Sequence, residues 1–383
     1  MAQLPHGRPP FRADHVGSLL RPQDLRQAFR RHASGELEDE EFASLQDQCI
    51  RDAVALQEQV GLQVVTDGEF RRGSYWGRFV ERTDGFEIKP AVFKFRNDQG
   101  HEVEFTAPYA KGKIARQQPL ALDEYVFLRD VTKATGKITL PAPSTMHFYR
   151  CTDYADGSVY PNEASFFADL AAIFQQEIAE LAKAGCRYIQ LDEVAVALLC
   201  DPGIREQVAR QGSDPDALVD LYIKSINDAV ANCPRDVVVG VHMCRGNFKG
   251  HYLGAGGYEK VAERFFAETK VNHFLLEYDT PRAGDFAPLR FVPKGKGVVL
   301  GLISTKTPVL ENNDALKRRI DEASRSIDLD RLAIRSPKAT SAPSSVWPSS
   351  SPGKFGRTCN AAWYLGSGAE TQFTPPMRAR AGS

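Results

Sequence analysis

The chain has 383 residues, a formal net charge of -1, 42% hydrophobic and 25% charged residues. That balance excludes bulk disorder, and it excludes a protein drawn by its overall field to nucleic acid or to an anionic membrane. Seven cysteines, an odd number scattered without framework spacing, exclude a disulfide scaffold and read as reduced thiols.

The opening MAQLPHGRPPFRADHVGS has no apolar signal core, and no later run reaches about 18 apolar residues, so a cytoplasmic location is expected. A short first strand is predicted near His15 to Ser18, then a helix from Glu38 to Glu58 and a strand from Leu62 to Thr66. From Arg78 to Asp130 the rhythm breaks. The alternating AVFKFRND, the turn-like QGH and the alternating EVEFTAP predict an inserted β-hairpin, acting as a flap or an interface element. Strands are then predicted at Lys137 to Leu140, Arg187 to Leu191, Val237 to His242, His273 to Tyr278, Gly297 to Ile303 and Arg331 to Ile334. Helices separate them at Glu163 to Ala184, Asp216 to Asn232, Tyr258 to Glu268 and Asn313 to Ser326. Strand and helix alternate nearly eight times, and no glycine-rich dinucleotide fingerprint follows the first strand. The fold class is therefore an α/β protein with a TIM (β/α)8 barrel, residues 1–335, carrying the 78–130 insertion after strand 2. Residues 336–383 form an aberrant tail rich in serine and proline, with almost no acids and no helical period. It reads as an irregular, disordered tail or as the product of a shifted reading frame.

In a barrel all strand C-termini converge on one mouth, so polar residues at those ends are the candidates for chemistry. VHMC places His242 and Cys244 two residues apart, hence on one face of an extended strand, where imidazole and thiolate suit zinc. A packed histidine beside a buried cysteine is the bland alternative. Glu277 ends the next strand, either as a third ligand or as an ion-pair partner of Arg282. Asp67 and Glu69, and Asp192 and Glu193, end two more strands as candidate bases or ammonium-binding acids. The alternative is salt bridging to Arg71, Arg72 or Arg187. Gly17 and Ser18 form a turn whose N–H groups could receive a carboxylate. His147 is a candidate for a donor-side residue or a core histidine.

The segments HVGSLLRP, VTDGEFRRGSYW, LPAPSTMHF, YIQLDE, VHMCRGN, LLEYDTPRAGDF and GLISTKTPVLE run in order from about residue 14 to residue 311. Together they resemble the catalytic barrel of cobalamin-independent methionine synthase, in its short single-barrel branch. The resemblance implies a zinc-dependent S-methyltransferase that carries a methyl group from methyltetrahydrofolate to the thiol of homocysteine, giving methionine. It implies zinc ligands at His242, Cys244 and Glu277, with ligating atoms a few ångströms apart. It also implies ammonium-binding acids at Glu69 and Asp192 and a carboxylate-receiving turn at Ser18.

The chain departs from the family pattern in two places. The fourth zinc ligand, a cysteine in a Ser-Pro-Gln-Cys-like pattern, is absent from Ser336-Pro337-Lys338-Ala339, leaving Cys359 as the only later cysteine. The histidine thought to act as acid in full-length synthases is replaced by Ser304-Thr305-Lys306, so no catalytic acid is assigned. The N-terminal folate-binding barrel of those synthases is missing as well. Two alternatives follow: a thiol alkyltransferase using a corrinoid methyl donor, and a zinc- or thiol-binding protein inactivated by loss of the last ligand. The related uroporphyrinogen decarboxylases need no metal, and the His242, Cys244 and Glu277 set argues against that reading. The expected partners are small molecules, with no nucleic acid and no membrane; a homo-oligomer is compatible with the sequence.

Overall fold

The computed structural model describes residues 7–248, 251–304 and 311–335. Twelve strands occur among them: β1 (Ala13–Asp14), β2 (Val64–Val65), β3 (Thr83–Pro90), β4 (Phe95–Arg96), β5 (Glu102–Val103), β6 (Thr106–Arg116), β7 (Thr135–Pro141), β8 (Tyr188–Glu193), β9 (Val238–Met243), β10 (His273–Glu277), β11 (Gly297–Gly301) and β12 (Leu332–Arg335). Eight of them form one parallel sheet in the order β1-β12-β11-β10-β9-β8-β7-β2. Every residue of β8 to β12 is buried, as expected for strands covered outside by helices and inside by one another. The two terminal strands are drawn together by loop contacts. Leu19 N–H donates to Gly68 O at 3.1 Å, and the Thr66 hydroxyl donates to Gly17 O at 2.5 Å, so the sheet curls into a nearly closed barrel.

The helices form where sequence offers both an apolar face and a cap. Asn162 accepts from Ser165 N at the start of Glu163–Lys183, whose Phe166, Leu170, Phe174, Ile178 and Leu181 are buried. Asp201 caps Pro202–Arg210 with proline in its first turn, and Asn312 caps Asn313–Ala323. Among the described residues no helix is long and apolar enough to cross a membrane.

Three differences from the sequence reading have physical causes. The first strand ends at Asp14, because the chain turns at Gly17, whose φ is +107°. The predicted hairpin is present as β4 and β5, but a longer antiparallel pair, β3 and β6, carries it. A register shift between Asp84 and Phe86 breaks the alternation that would have revealed β3. The stretch 78–130 also contains a helix, Leu122–Val131, between the hairpin and β7. The tail, residues 336–383 with Cys359, lies outside the described residues.

Gly240 on β9 illustrates how tightly the barrel interior is filled. A Cβ there would meet His273 Nε2 at 2.5 Å and Leu275 Cδ1 at 3.1 Å. Gly240→Ala is expected to cost roughly 1–3 kcal/mol of stability through overpacking, measured by urea unfolding. An unchanged midpoint would show that His273 yields freely.

Candidate active site

Alternation along β8, β9 and β10 sends Asp192, His242 and Glu277 inward near the C-terminal ends of adjacent strands, and all three are buried. His242 Nδ1 lies 3.1 Å from the Leu275 carbonyl, which fixes Nδ1 as the protonated nitrogen and leaves Nε2 as a lone pair. Burial, and then Arg335, pushes its pKa down to about 3, so the ring is neutral at physiological pH. Half-buried Cys244 accepts a hydrogen bond from Gly246 N at 3.2 Å on its sulfur. Glu277 Oε2 accepts from Arg245 N at 2.8 Å. The Arg245 guanidinium is buried and donates to Gly256 O, Glu277 O and the Tyr258 hydroxyl, holding the ends of β9 and β10 together. Arg282 stacks on Tyr252 and reaches Asp98 at 3.3 Å, so the alternative Glu277 ion pair is not formed. Among the described residues, no group of three or more histidine, cysteine, aspartate or glutamate side chains has the arrangement that holds a metal ion.

A second group lines the mouth from the β2 and β8 side, with Asp192 directly beside His242 in the sheet. Glu69 adopts a φ of 59°, a left-handed conformation uncommon outside glycine, and its N–H is held by Asp67 Oδ1 at 2.9 Å. Its Oε1 accepts from the Thr139 hydroxyl at 2.8 Å, with Arg72 at 3.9 Å. Asp192 Oδ1 accepts from Gln190 Nε2 at 2.7 Å. Burial, and then the charge of Glu69, pushes Asp192 up to about 8. The two acids therefore feel each other, and the nearby Arg72 and Lys137 only partly offset their repulsion. Gly17 packs directly against Glu69 and Thr139: a Cβ there would meet Thr139 Cγ2 at 2.4 Å and Glu69 Oε1 at 3.1 Å. Ser18, the next residue, is exposed in the turn tied to Gly68.

The ion-pair alternatives for these acids are otherwise removed, since Arg71 pairs with Asp47, Arg72 chiefly with Glu124, and Arg187 with Asp236. The other two acids have local duties. Glu193 accepts from the Ser144 hydroxyl at 2.5 Å and from Val196 N at 2.8 Å, and Asp67 braces the Glu69 turn. Burial raises each to about 7. His147 is a core histidine: Nδ1 meets the Tyr222 hydroxyl at 2.9 Å, and the ring packs 4.4 Å from Tyr154. The hairpin reaches the mouth as well. Arg96 and Tyr252 exchange backbone hydrogen bonds at 2.8 Å, and Phe95 packs 5.3 Å from Phe248 in the loop that follows Cys244. Thr305 and Lys306 lie outside the described residues, while Ser304 donates to Asp279 at 2.8 Å.

Sequence reasoning missed Arg245, Thr139 and Gln190. The only available signal was a polar residue within or just after an otherwise apolar strand.

Known proteins resemble this chain over most of its length. The family model described as the catalytic domain of cobalamin-independent synthase matches residues 11–338. The uncharacterised protein YxjH of Bacillus subtilis is 40% identical, over 85% of this chain and 86% of its own. A methionine synthase of Pyrococcus abyssi is 27% identical over 83% of each chain. A crystal structure of a candidate vitamin-B12-independent methionine synthase from Listeria monocytogenes superposes with a TM-score of 0.65 at 31% identity, covering 85% of this chain and 90% of that one.

Proposed function

The chain belongs to the cobalamin-independent methionine synthase family of methyltransferases, and on that premise we propose that it is a cytoplasmic, zinc-dependent enzyme transferring a methyl group from methyltetrahydrofolate to homocysteine. The observation that carries the acceptor is the facing pair Glu69 and Asp192, two buried carboxylates beside the Gly17–Ser18 turn. Such a pair suits one ammonium group, and the turn suits the carboxylate of the same amino acid.

His242 Nε2, the Cys244 sulfur and Glu277 would hold the zinc. The donor chemistry fits: a neutral imidazole with its other nitrogen pinned, a thiol with an N–H directed at its sulfur, and a carboxylate anchored through one oxygen. Among the described residues these side chains are not gathered to metal-binding geometry, so binding requires them to rearrange. When bound, zinc lowers the pKa of a substrate thiol so that thiolate persists at neutral pH. The protein's own residues do the rest. Glu69 and Asp192 fix the amino end, which aims the thiol across the mouth towards β9 and β10, and the buried walls exclude water from the nucleophile.

This arrangement predicts a pH dependence. In the free protein Asp192 holds a proton below about 8, because burial and Glu69 raise it. An ammonium group between the acids favours the ionised form, so binding expels that proton. Affinity for L-homocysteine should then rise with pH by up to about tenfold per unit, levelling near pH 8. Titration calorimetry in buffers of different ionisation enthalpy measures both affinity and proton release. A flat profile from pH 6 to 8 with no proton release would remove Asp192 from the ammonium site.

A further inference from the structure

Below the mouth, the barrel interior holds a column of polar side chains with no part in the chemistry described above. Lys137 on β7 is fully buried, and its Nζ donates to Asp14 Oδ1 at 2.6 Å, to the His15 carbonyl, and to Gln190 Oε1 at 3.0 Å. Those three bonds use all three ammonium hydrogens. Asp14 is held in turn by the Tyr188 hydroxyl and by His15 N at 2.7 Å, so the lysine cannot drift.

The consequence lies in the amide of Gln190. A lysine ammonium has donors and no acceptor, so the atom of Gln190 that faces it must be the carbonyl oxygen. The NH2 group then has to point the other way. Gln190 Nε2 donates to Asp192 Oδ1 at 2.7 Å and to Val16 O at 2.7 Å. Reversing the amide would put NH2 against the ammonium and oxygen against the Val16 carbonyl, which has no hydrogen to give. Lys137 therefore fixes one amide orientation. That amide ties the acid of the pocket to the residue that opens the Gly17–Ser18 turn.

We propose that Lys137 and Gln190 are a positioning pair that sets Asp192 and the Val16–Ser18 turn at a fixed separation, so that the site selects a ligand carrying both the ammonium and the carboxylate of an α-amino acid. This rests on the pocket reading above and adds the device that holds the pocket in shape. Lys137 and Gln190 do not contact the ligand and act through Asp192 and Val16.

Gln190→Glu tests it, because the substitution keeps the shape and the bond to Lys137. It replaces only the donor facing Asp192 and Val16 with an acceptor. The expected result, by calorimetry with L-methionine and L-homocysteine, is at least a tenfold loss of affinity with an unchanged circular dichroism spectrum. In turnover, KM should rise while kcat stays within about twofold. Asp14→Asn/Lys137→Met, which removes both buried charges together, is the second variant and should show the same split. Wild-type affinity in folded Gln190→Glu, or a loss confined to kcat, overturns the proposal. The pocket reading fails separately: if Asp192→Asn binds both amino acids as the wild type does, Asp192 is not the ammonium site and this inference falls with it. If Asp192→Asn loses binding and Gln190→Glu does not, only the inference falls.

Discussion

Asp192→Asn is expected to weaken L-homocysteine binding by on the order of a hundredfold while zinc uptake stays within a few-fold of the wild type. The substitution preserves volume, and the asparagine carbonyl can still accept from Gln190 as Asp192 Oδ1 does at 2.7 Å. Its NH2 then faces the incoming ammonium, so an attraction becomes a donor–donor clash and one buried charge is lost. Glu69 remains, held by Thr139 and near Arg72, which prevents collapse of the pocket. Calorimetry reads the amino-acid affinity, and competition with a chromophoric chelator reads the zinc. Equal homocysteine affinity in the two proteins would reject the assignment of Asp192, whereas parallel loss of zinc would show a general collapse of the mouth.

The second large effect concerns the metal. The three proposed ligands, His242, Cys244 and Glu277, would leave a position open, and the fourth ligand that the family resemblance implies has no counterpart at Ser336-Pro337-Lys338-Ala339. Without that thiolate a zinc site there would carry one negative charge less and leave the ion open to water. Replacing the sequence from Ser336 onward with a Ser-Pro-Gln-Cys segment and a closing helix is expected to tighten zinc at least roughly a hundredfold, since outer contacts alone are worth tenfold to a hundredfold. Methyl transfer should rise well above the weak turnover of the unaltered chain. Metal affinity and single-turnover methionine formation decide the matter. If the chain as written already binds one equivalent of zinc tightly and turns over like the restored version, another residue completes the site. Cys359 is then the first to replace.

The sequence by itself determined what depends on short stretches of chain. Strand alternation is set by covalent geometry, so VHMC could be read as placing His242 and Cys244 on one face, and the parallel strand–helix rhythm identified the barrel and its mouth. Acids at the ends of β2 and β8 were legible for the same reason. Their duties were not, because a duty depends on partners remote in sequence. Asp192 and Glu193 are neighbours, yet one meets Gln190 and feels Glu69, while the other is taken by Ser144 and by Val196 N in the short helix Ala195–Leu198. Arg72 could have neutralised Glu69, but Glu124, 52 residues on, captures it in a buried pair. Lys137 looked like one polar residue in an apolar strand, until the closed barrel set it against Asp14, 123 residues away, and against Gln190. Local pattern fixes which way a side chain points. Only closure of the barrel decides what it meets there, and in a low-dielectric interior the partner determines whether a charged group serves as a ligand, a cap or a support.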